Sequence, residues 1–345
     1  MTRTRRTTRP ARRRRAAWLF ATAAVVVVAV AATVGVGAAT GWFGALGPTP
    51  PGPGTRFVVA AESAAAQAAA QASGTDTTAD AGEAKDAADF LAAQPTAYWL
   101  TPERDPIGAV AARVTALAGE ARTQDATLAL VVYGLPERDC GNHSAGGLSP
   151  TDYPTWIDEI AGALVQASEV RAVVILEPDS LSLATECGNL DDRVAQLRAA
   201  VAALQRENTW IYLDGGHSNW HPAAEQARLL TAVGLGGVRG FSLNVSNFNA
   251  TDAEVSYAHA VARNLDAPAH AFIDTSRNGA GSNGEWCNPP GRLVGQASGT
   301  IGDDVVDTNL WIKPPGESDG PCNGGPAAGE WWPAAAIELT HQARR

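Results

Sequence analysis

The feature that most constrains the fold is an alternation of short apolar segments with longer alanine-rich ones. The short segments are rich in β-branched residues and predict strands at 57–60, 128–133, 172–176, 210–213, 240–243, 271–273 and 309–312. Helical patterns fill the intervals at 61–72, 107–121, 154–167, 191–206, 222–233 and 252–264. Such alternation predicts an α/β fold with a parallel sheet under helices, and seven or eight strands favour a β/α barrel.

Acidic residues follow five of these strands. In chain order they are Asp139, Glu177 with Asp179, Asp214, Asp274, and Glu317 with Asp319. A single Asp after a strand is as often a helix cap or turn former as a functional group. Because the carboxyl ends of parallel strands meet at the rim where barrel active sites lie, the series predicts a site at those ends.

Crowded carboxylates repel one another and lose hydration, which raises the pKa of at least one of them. A carboxylic acid beside ionised partners is the arrangement that cleaves glycosidic bonds. The rival use of such a cluster is a metal site, but the chain has no His-x-x-x-His, Cys-x-x-Cys or calcium-loop spacing. We therefore expect neither a metal nor a cofactor, and a metal-dependent esterase or deacetylase is the weaker interpretation.

The N-terminus has the pattern of an export signal. Eight arginines lie within residues 1–15, and residues 16–40 are uncharged and mostly apolar. This predicts a basic cytoplasmic region at 1–15, a cleaved signal peptide or a retained anchor at 16–40, and a Pro/Gly linker at 41–55. The catalytic domain would then be residues 56–345, secreted or anchored to the membrane by 16–40.

Charge excludes one class of partner. Without residues 1–15 the chain has 18 basic and 36 acidic residues, a net charge of −18. Nucleic-acid binding needs many Lys and Arg to neutralise phosphates, so we expect no nucleic-acid partner. Ten tryptophans suit stacking on weakly polar ligands such as sugars. On this basis Trp99, Trp220, Trp286 and Trp311, in or beside strand ends, are candidate sugar platforms.

The motifs at the strand ends resemble, in order, those of glycoside hydrolase family 6, cellulases that cut β-1,4-glucan with inversion. The resemblance covers about residues 56–340. The motifs are Tyr133-Gly-Leu-Pro-Glu-Arg-Asp139-Cys140, Glu177-Pro-Asp179, Asp214-Gly-Gly-His217-Ser-Asn-Trp220, Asn244-Val-Ser-Asn247, Asp274-Thr-Ser-Arg277, Glu285-Trp286-Cys287-Asn and Lys313-Pro-Pro-Gly-Glu317-Ser-Asp319. The resemblance implies a distorted, partly open β/α barrel with the glucan lying across the carboxyl ends of the strands.

The resemblance also implies catalytic roles. Asp179 matches the general acid, and Asp139 matches the neighbour that keeps this acid protonated. Asp319 matches the candidate base, with a proton relay through water as the alternative. Tyr133 matches the tyrosine that crowds the sugar at the point of cleavage and favours a distorted ring.

Further positions are expected to bind substrate. These are Trp99, Asp214, His217, Trp220, Asn247, Trp286, Lys313 and Glu317, with Asp214 lying near the point of cleavage. The even number of cysteines in an exported chain predicts two disulfides, with three connectivities open. The resemblance implies the pairs Cys140–Cys187 and Cys287–Cys322.

The expected activity is hydrolysis of cellulose or a related β-glucan by a monomer. Exo-acting relatives roof the cleft with long loops between the paired cysteines, and those segments are short here, which favours endo-action. The alternatives are an exo-acting cellobiohydrolase of the same family and a non-catalytic glucan-binding protein.

Overall fold

Seven parallel strands lie side by side in the order in which they occur in the sequence. They are β1 (Tyr98–Leu100), β2 (Leu128–Val132), β3 (Ala172–Leu176), β4 (Thr209–Asp214), β5 (Gly240–Leu243), β6 (His270–Asp274) and β7 (Val306–Leu310). The computed structural model describes residues 48–72, 79–141, 144 and 146–345. The predicted segments 1–15 and 16–40, and 41–47 of the linker, lie outside the described residues. No helix within the described ranges is long and apolar enough to cross a bilayer.

Helices connect the strands and cover the outer face of the sheet. In the described part of the chain they are α1 (Ala64–Gln71), α2 (Ala79–Ala92), α3 (Val110–Gln124), α4 (Asp152–Gln166), α5 (Ser180–Cys187), α6 (Leu190–Leu204), α7 (Ala223–Val233), α8 (Thr251–Asn264) and α9 (Pro333–Thr340). The predicted helices correspond to α1, α3, α4, α6, α7 and α8. The sequence patterns missed α2, α5 and α9.

The sheet curls into a barrel that stays partly open. Next to the first and last strands, Thr96 and Trp311 form one isolated parallel bridge, with a hydrogen bond of 3.1 Å from Ala97 N to Trp311 O. Alternate residues of β2 face opposite ways: Leu128, Leu130 and Val132 pack under the helices, whereas Ala129 and Val131 fill the barrel interior. Burial on both faces explains why the sequence of β2 is a continuous apolar run.

The prediction of a strand at 57–60 is wrong. Phe57 makes only an isolated bridge to Thr127, and its ring packs edge-on against Phe272 inside the barrel at 5.9 Å. The first strand is instead Tyr98–Leu100, which is only three residues long. An apolar run that fills a barrel and one that joins a sheet have the same local pattern, so the sequence could not separate them.

The compact unit of the structure begins at Pro50, inside the predicted linker. Pro51 is buried, and Gly54 N donates a hydrogen bond of 2.8 Å to Gly299 O. The last residues of segment 41–55 therefore pack as part of the barrel, at the end opposite to the carboxyl ends of the strands.

Candidate active site

A cleft of about 520 Å³ lies at the carboxyl ends of the strands. Ten of the predicted site residues line it: Trp99, Tyr133, Asp139, Asp179, His217, Trp220, Asn247, Trp286, Lys313 and Asp319. Asp214 and Glu317 are buried and do not line the cleft. The structure thus brings together all four predicted catalytic residues and places two predicted binding residues behind the cleft wall.

Asp179 reaches the cleft through a sharp turn between β3 and α5. Glu177 and Asp179 have positive φ angles of 52° and 67°, a conformation that costs non-glycine residues free energy. The turn is fastened by the Ser180 hydroxyl, which donates to Glu177 O at 2.7 Å. Asp179 N donates to Asp214 Oδ2 at 3.1 Å, so the turn holds two carboxyl groups close together.

This environment favours the protonated form of Asp179. Burial raises its pKa well above the ordinary value, and the charges of Asp214 and then Asp139 raise it further. Burial also raises the pKa of Asp214, although the N–H groups of Gly216 and Asp179 oppose that rise by donating to its carboxylate. Asp179 therefore has the electrostatic setting of a general acid.

Asp139 and Tyr133 form the wall next to Asp179. Asp139 begins a short 3₁₀ turn, and its Oδ2 accepts a hydrogen bond of 2.9 Å from Ser144 N. The Tyr133 ring stands edge-on to Trp99 at 5.3 Å, and the Arg138 guanidinium lies 4.6 Å from the Tyr133 ring centre. Tyr133 is thereby held between an aromatic ring and a cation in the cleft wall.

Asp319 lies on another part of the cleft wall and is fixed by two donors. Arg277 Nη1 donates to Asp319 Oδ2 at 2.8 Å, and Asn288 N donates to the same oxygen at 3.0 Å. Asn288 Oδ1 accepts from Asp319 N at 2.8 Å in return. Since both donors use Oδ2, Oδ1 is the oxygen available to a water or ligand in the cleft.

The segment after β4 supplies a polar and aromatic surface. Burial, followed by the nearby His221, lowers the pKa of His217 to about 4, so its imidazole is neutral near pH 7. His217 Nδ1 accepts from Asn219 N at 3.3 Å, which leaves Nε2 as the protonated nitrogen. Trp220 packs 5.4 Å from the His217 ring, and Trp286, in the loop between β6 and β7, is 50% exposed. Such donors and rings suit hydroxyl-rich ligands.

Other strand-end carboxylates hold the rim together instead of facing the cleft. Glu177 accepts from Gly134 N and Leu135 N at 3.1 and 3.2 Å, and burial raises its pKa to about 7. Asp274 accepts four backbone N–H bonds, two of them from Ile312 and Lys313 at 3.1 and 3.0 Å. Of the strand-end carboxylates, Asp139, Asp179 and Asp319 are the ones that line the cleft, and their functional roles stay predictions.

Two disulfides tie the loops of the cleft, Cys140–Cys187 and Cys287–Cys322. Both pairings implied by the family resemblance are confirmed. The prediction of Trp311 as a sugar platform is wrong, because Trp311 is 3% exposed and its Nε1 donates to Gln296 O at 3.0 Å. Its ring belongs to a small core beside α2 and α9.

Several cleft residues were not predicted. They are Ser144, Leu183, Asn219, Ser246, Ser318 and Ala328. Ser246 and Ser318 lie inside the motifs that hold Asn247 and Asp319, so position in the motif was a usable signal. Leu183 and Ala328 carry no chemical signal, and only the tertiary structure places them at the cleft.

Comparisons with known proteins agree with this geometry. The family model described as glycosyl hydrolases family 6 matches residues 53–343. Endoglucanase A of Cellulomonas fimi is 42% identical over 74% of this chain and 56% of its own length. Endoglucanase 1 of Streptomyces halstedii is 43% identical over 73% of this chain and 79% of its own length.

A solved structure extends the likeness to three dimensions. The endoglucanase Cel6 of Mycobacterium tuberculosis, in complex with methyl-cellobiosyl-4-deoxy-4-thio-β-D-cellobioside, superimposes with a TM-score of 0.76 and 39% identity. The alignment covers 85% of this chain and 98% of that structure. Together with the family match over most of the sequence, this shows that the chain belongs to the glycosyl hydrolases of family 6.

Proposed function

We propose that the protein is an inverting endo-β-1,4-glucanase acting on cellulose or a related β-glucan. The observation that carries the proposal is the environment of Asp179. Burial and two neighbouring carboxylates raise the pKa of this carboxyl group, which lines the same cleft as Asp319. The printed names of the relatives from Cellulomonas fimi and Streptomyces halstedii support the same activity.

In the proposed reaction Asp179 gives its proton to the glycosidic oxygen as the bond from that oxygen to the anomeric carbon breaks. A water molecule attacks the anomeric carbon from the opposite face, which inverts its configuration. The proton of that water passes to Asp319, directly or through a second water. Tyr133, held by Trp99 and Arg138, crowds the sugar toward the distorted ring of the transition state.

Asp139 and Asp214 keep Asp179 protonated until the substrate takes its proton. We propose that His217, Trp220, Asn247, Trp286, Trp99 and Lys313 bind the glucan along the cleft. Glu317 acts indirectly, since its carboxylate lies 3.7 Å from the Lys313 ammonium and orients it. The half-exposed Trp286 supports an open groove and hence endo-action.

We propose that the protein is exported, with residues 1–40 as the signal or anchor, and acts as a monomer. The two disulfides support this location, because such bonds form and persist in oxidising compartments. In the proposed arrangement the catalytic domain lies outside the cytoplasm.

The test follows viscosity and reducing ends together while the full chain acts on carboxymethylcellulose. An endo-acting enzyme lowers viscosity early, while few reducing ends have appeared. Viscosity that falls only in proportion to reducing ends would indicate a cellobiohydrolase, and binding without either change would indicate a non-catalytic protein. Proton NMR of the first products should show the α-anomer, and an initial β-anomer would exclude inversion.

A further inference from the structure

A second cavity of about 340 Å³ lies behind the part of the cleft wall that carries Asp319. It shares none of its lining residues with the cleft. Its polar and aromatic lining includes Arg277, Glu317, Asn323, Trp332 and Glu338. A volume of this size lies at the lower end of the range of small-molecule sites, roughly 300–1,000 Å³.

Two buried charged side chains form the inner wall of this cavity. Arg277 is 3% exposed, and its terminal nitrogens donate to Asp319 Oδ2 and to Ser246 O. Among the described residues its Nε finds no hydrogen-bond partner. A buried N–H without a partner is unfavourable, and an acceptor on a ligand in the cavity would relieve that cost.

Glu317 offers the complementary acceptor. It is 9% exposed, and its carboxylate lies 3.7 Å from Lys313 Nζ, longer than a hydrogen bond. The exposed Glu338 accepts from Gly291 N at 2.6 Å through Oε1, which leaves Oε2 for a ligand. The cavity therefore presents two separate acceptors, the carboxylates of Glu317 and Glu338, next to one donor, Arg277 Nε.

This pattern argues against an anionic ligand. Arg277 has no pair of N–H groups left for a phosphate or carboxylate, because Asp319 and Ser246 use its terminal nitrogens. Arg292, also in the lining, donates to Pro290 O and Gly281 O. Glu317 and Glu338 would repel a negative charge.

Hydroxyl groups fit the same pattern, because each hydroxyl both donates and accepts. The half-buried Trp332, just before α9, adds an aromatic surface of the kind on which the C–H face of a sugar ring packs. We propose that this cavity is a second, non-catalytic site that binds a glucose unit of a β-1,4-linked oligosaccharide. The choice of a β-1,4-linked glucose unit rests on the proposed function of the cleft, whereas the hydroxyl-rich character of the ligand rests on the cavity alone.

The experiment uses the full chain labelled with 5-fluorotryptophan and observed by fluorine NMR. The variant Trp332→Phe identifies the Trp332 signal and keeps an aromatic ring in place. Cellobiose is then titrated into the labelled wild-type protein and into Trp286→Ala, which weakens binding in the cleft. We expect a saturable shift of the Trp332 signal in both proteins.

A second variant locates the ligand. Glu338→Leu removes one acceptor at an exposed position, and we expect it to keep a melting temperature close to that of the wild type and to weaken the Trp332 response several-fold. Cellohexaose in place of cellobiose distinguishes a passing glucan chain from released product. A Trp332 response to either sugar supports the site. Tighter binding of cellohexaose would indicate that the site binds a glucan chain, and tighter binding of cellobiose that it binds released product.

Three outcomes would overturn the proposal. The Trp332 signal could stay unchanged throughout the titration, shift in the wild type but not in Trp286→Ala, or respond equally to sulfate. The readout is binding, so it is independent of catalysis. If the Trp332 signal shifts but the protein does not cut glucan, only the proposed function is refuted. If the protein cuts glucan but the Trp332 signal does not shift, only this second site is refuted.

Discussion

Replacing Asp179 by asparagine tests the proposed proton donor with little change in shape. An amide cannot protonate the leaving oxygen, and general acid catalysis contributes about 10²–10⁴ in rate. We therefore expect Asp179→Asn to lose about 3–5 kcal/mol of transition-state stabilisation on cellulose. A dinitrophenyl cellobioside needs little protonation of its leaving group, so its loss should stay within about tenfold.

The carboxylates beside Asp179 allow a second test, based on the pH dependence of activity. The acid works when protonated, so activity is present below its raised pKa and is lost as the pH rises through that pKa. Removing a nearby negative charge lowers the pKa of Asp179 and moves the alkaline limb of the pH profile to lower pH. Since Asp214 contributes more than Asp139, Asp214→Asn should move that limb further than Asp139→Asn.

Burial is the largest cause of the raised pKa, so neither neighbour variant should bring Asp179 to the ordinary value for aspartate. The assay is the pH dependence of kcat/KM on carboxymethylcellulose, with thermal melts to check folding. Asp252→Asn, an exposed carboxylate on α8, is the matched control and should leave the profile unchanged. Equal losses of Asp179→Asn on both substrates, or a limb that moves to higher pH in Asp139→Asn, would refute the reasoning.

Three further predictions concern binding and stability. Glu254 is fully buried and accepts from Ser218 N at 3.1 Å, so Glu254→Leu should loosen the segment after β4 and raise KM for cello-oligosaccharides. Glu254→Gln keeps an acceptor and should stay near wild type, and equal KM values in the two variants would contradict this role. Trp286→Ala should raise KM about 2–10-fold with kcat largely kept, which steady-state kinetics would check, and a fall in kcat alone would argue against a sugar platform. A chain beginning at Arg56 lacks the buried Pro51, so its melting temperature should fall a few degrees below that of a chain beginning at Pro51, and identical melts would show that these residues add no stability.

Much of the architecture could be predicted because it depends on local pattern. Strands β2 and β3 are continuous apolar runs and β4 to β6 are mostly apolar, since both faces of the sheet are buried. The motifs at their ends were sufficient to predict the family, the cleft and both disulfides. By contrast, the three-residue strand Tyr98–Leu100 is too short to carry a pattern. The apolar run Phe57–Ala60 has the local pattern of a strand but does not join the sheet as one.

The sequence by itself determined that carboxyl groups gather at one rim of a parallel barrel. Only the tertiary structure decided which of them face the cleft. A backbone with positive φ directs Asp179 into the cleft, whereas the Asp274 carboxylate accepts hydrogen bonds from N–H groups of distant loops. Glu317 likewise pairs with Lys313 and lines a separate cavity. These outcomes depend on contacts between residues far apart in the chain, and no local pattern encodes such contacts.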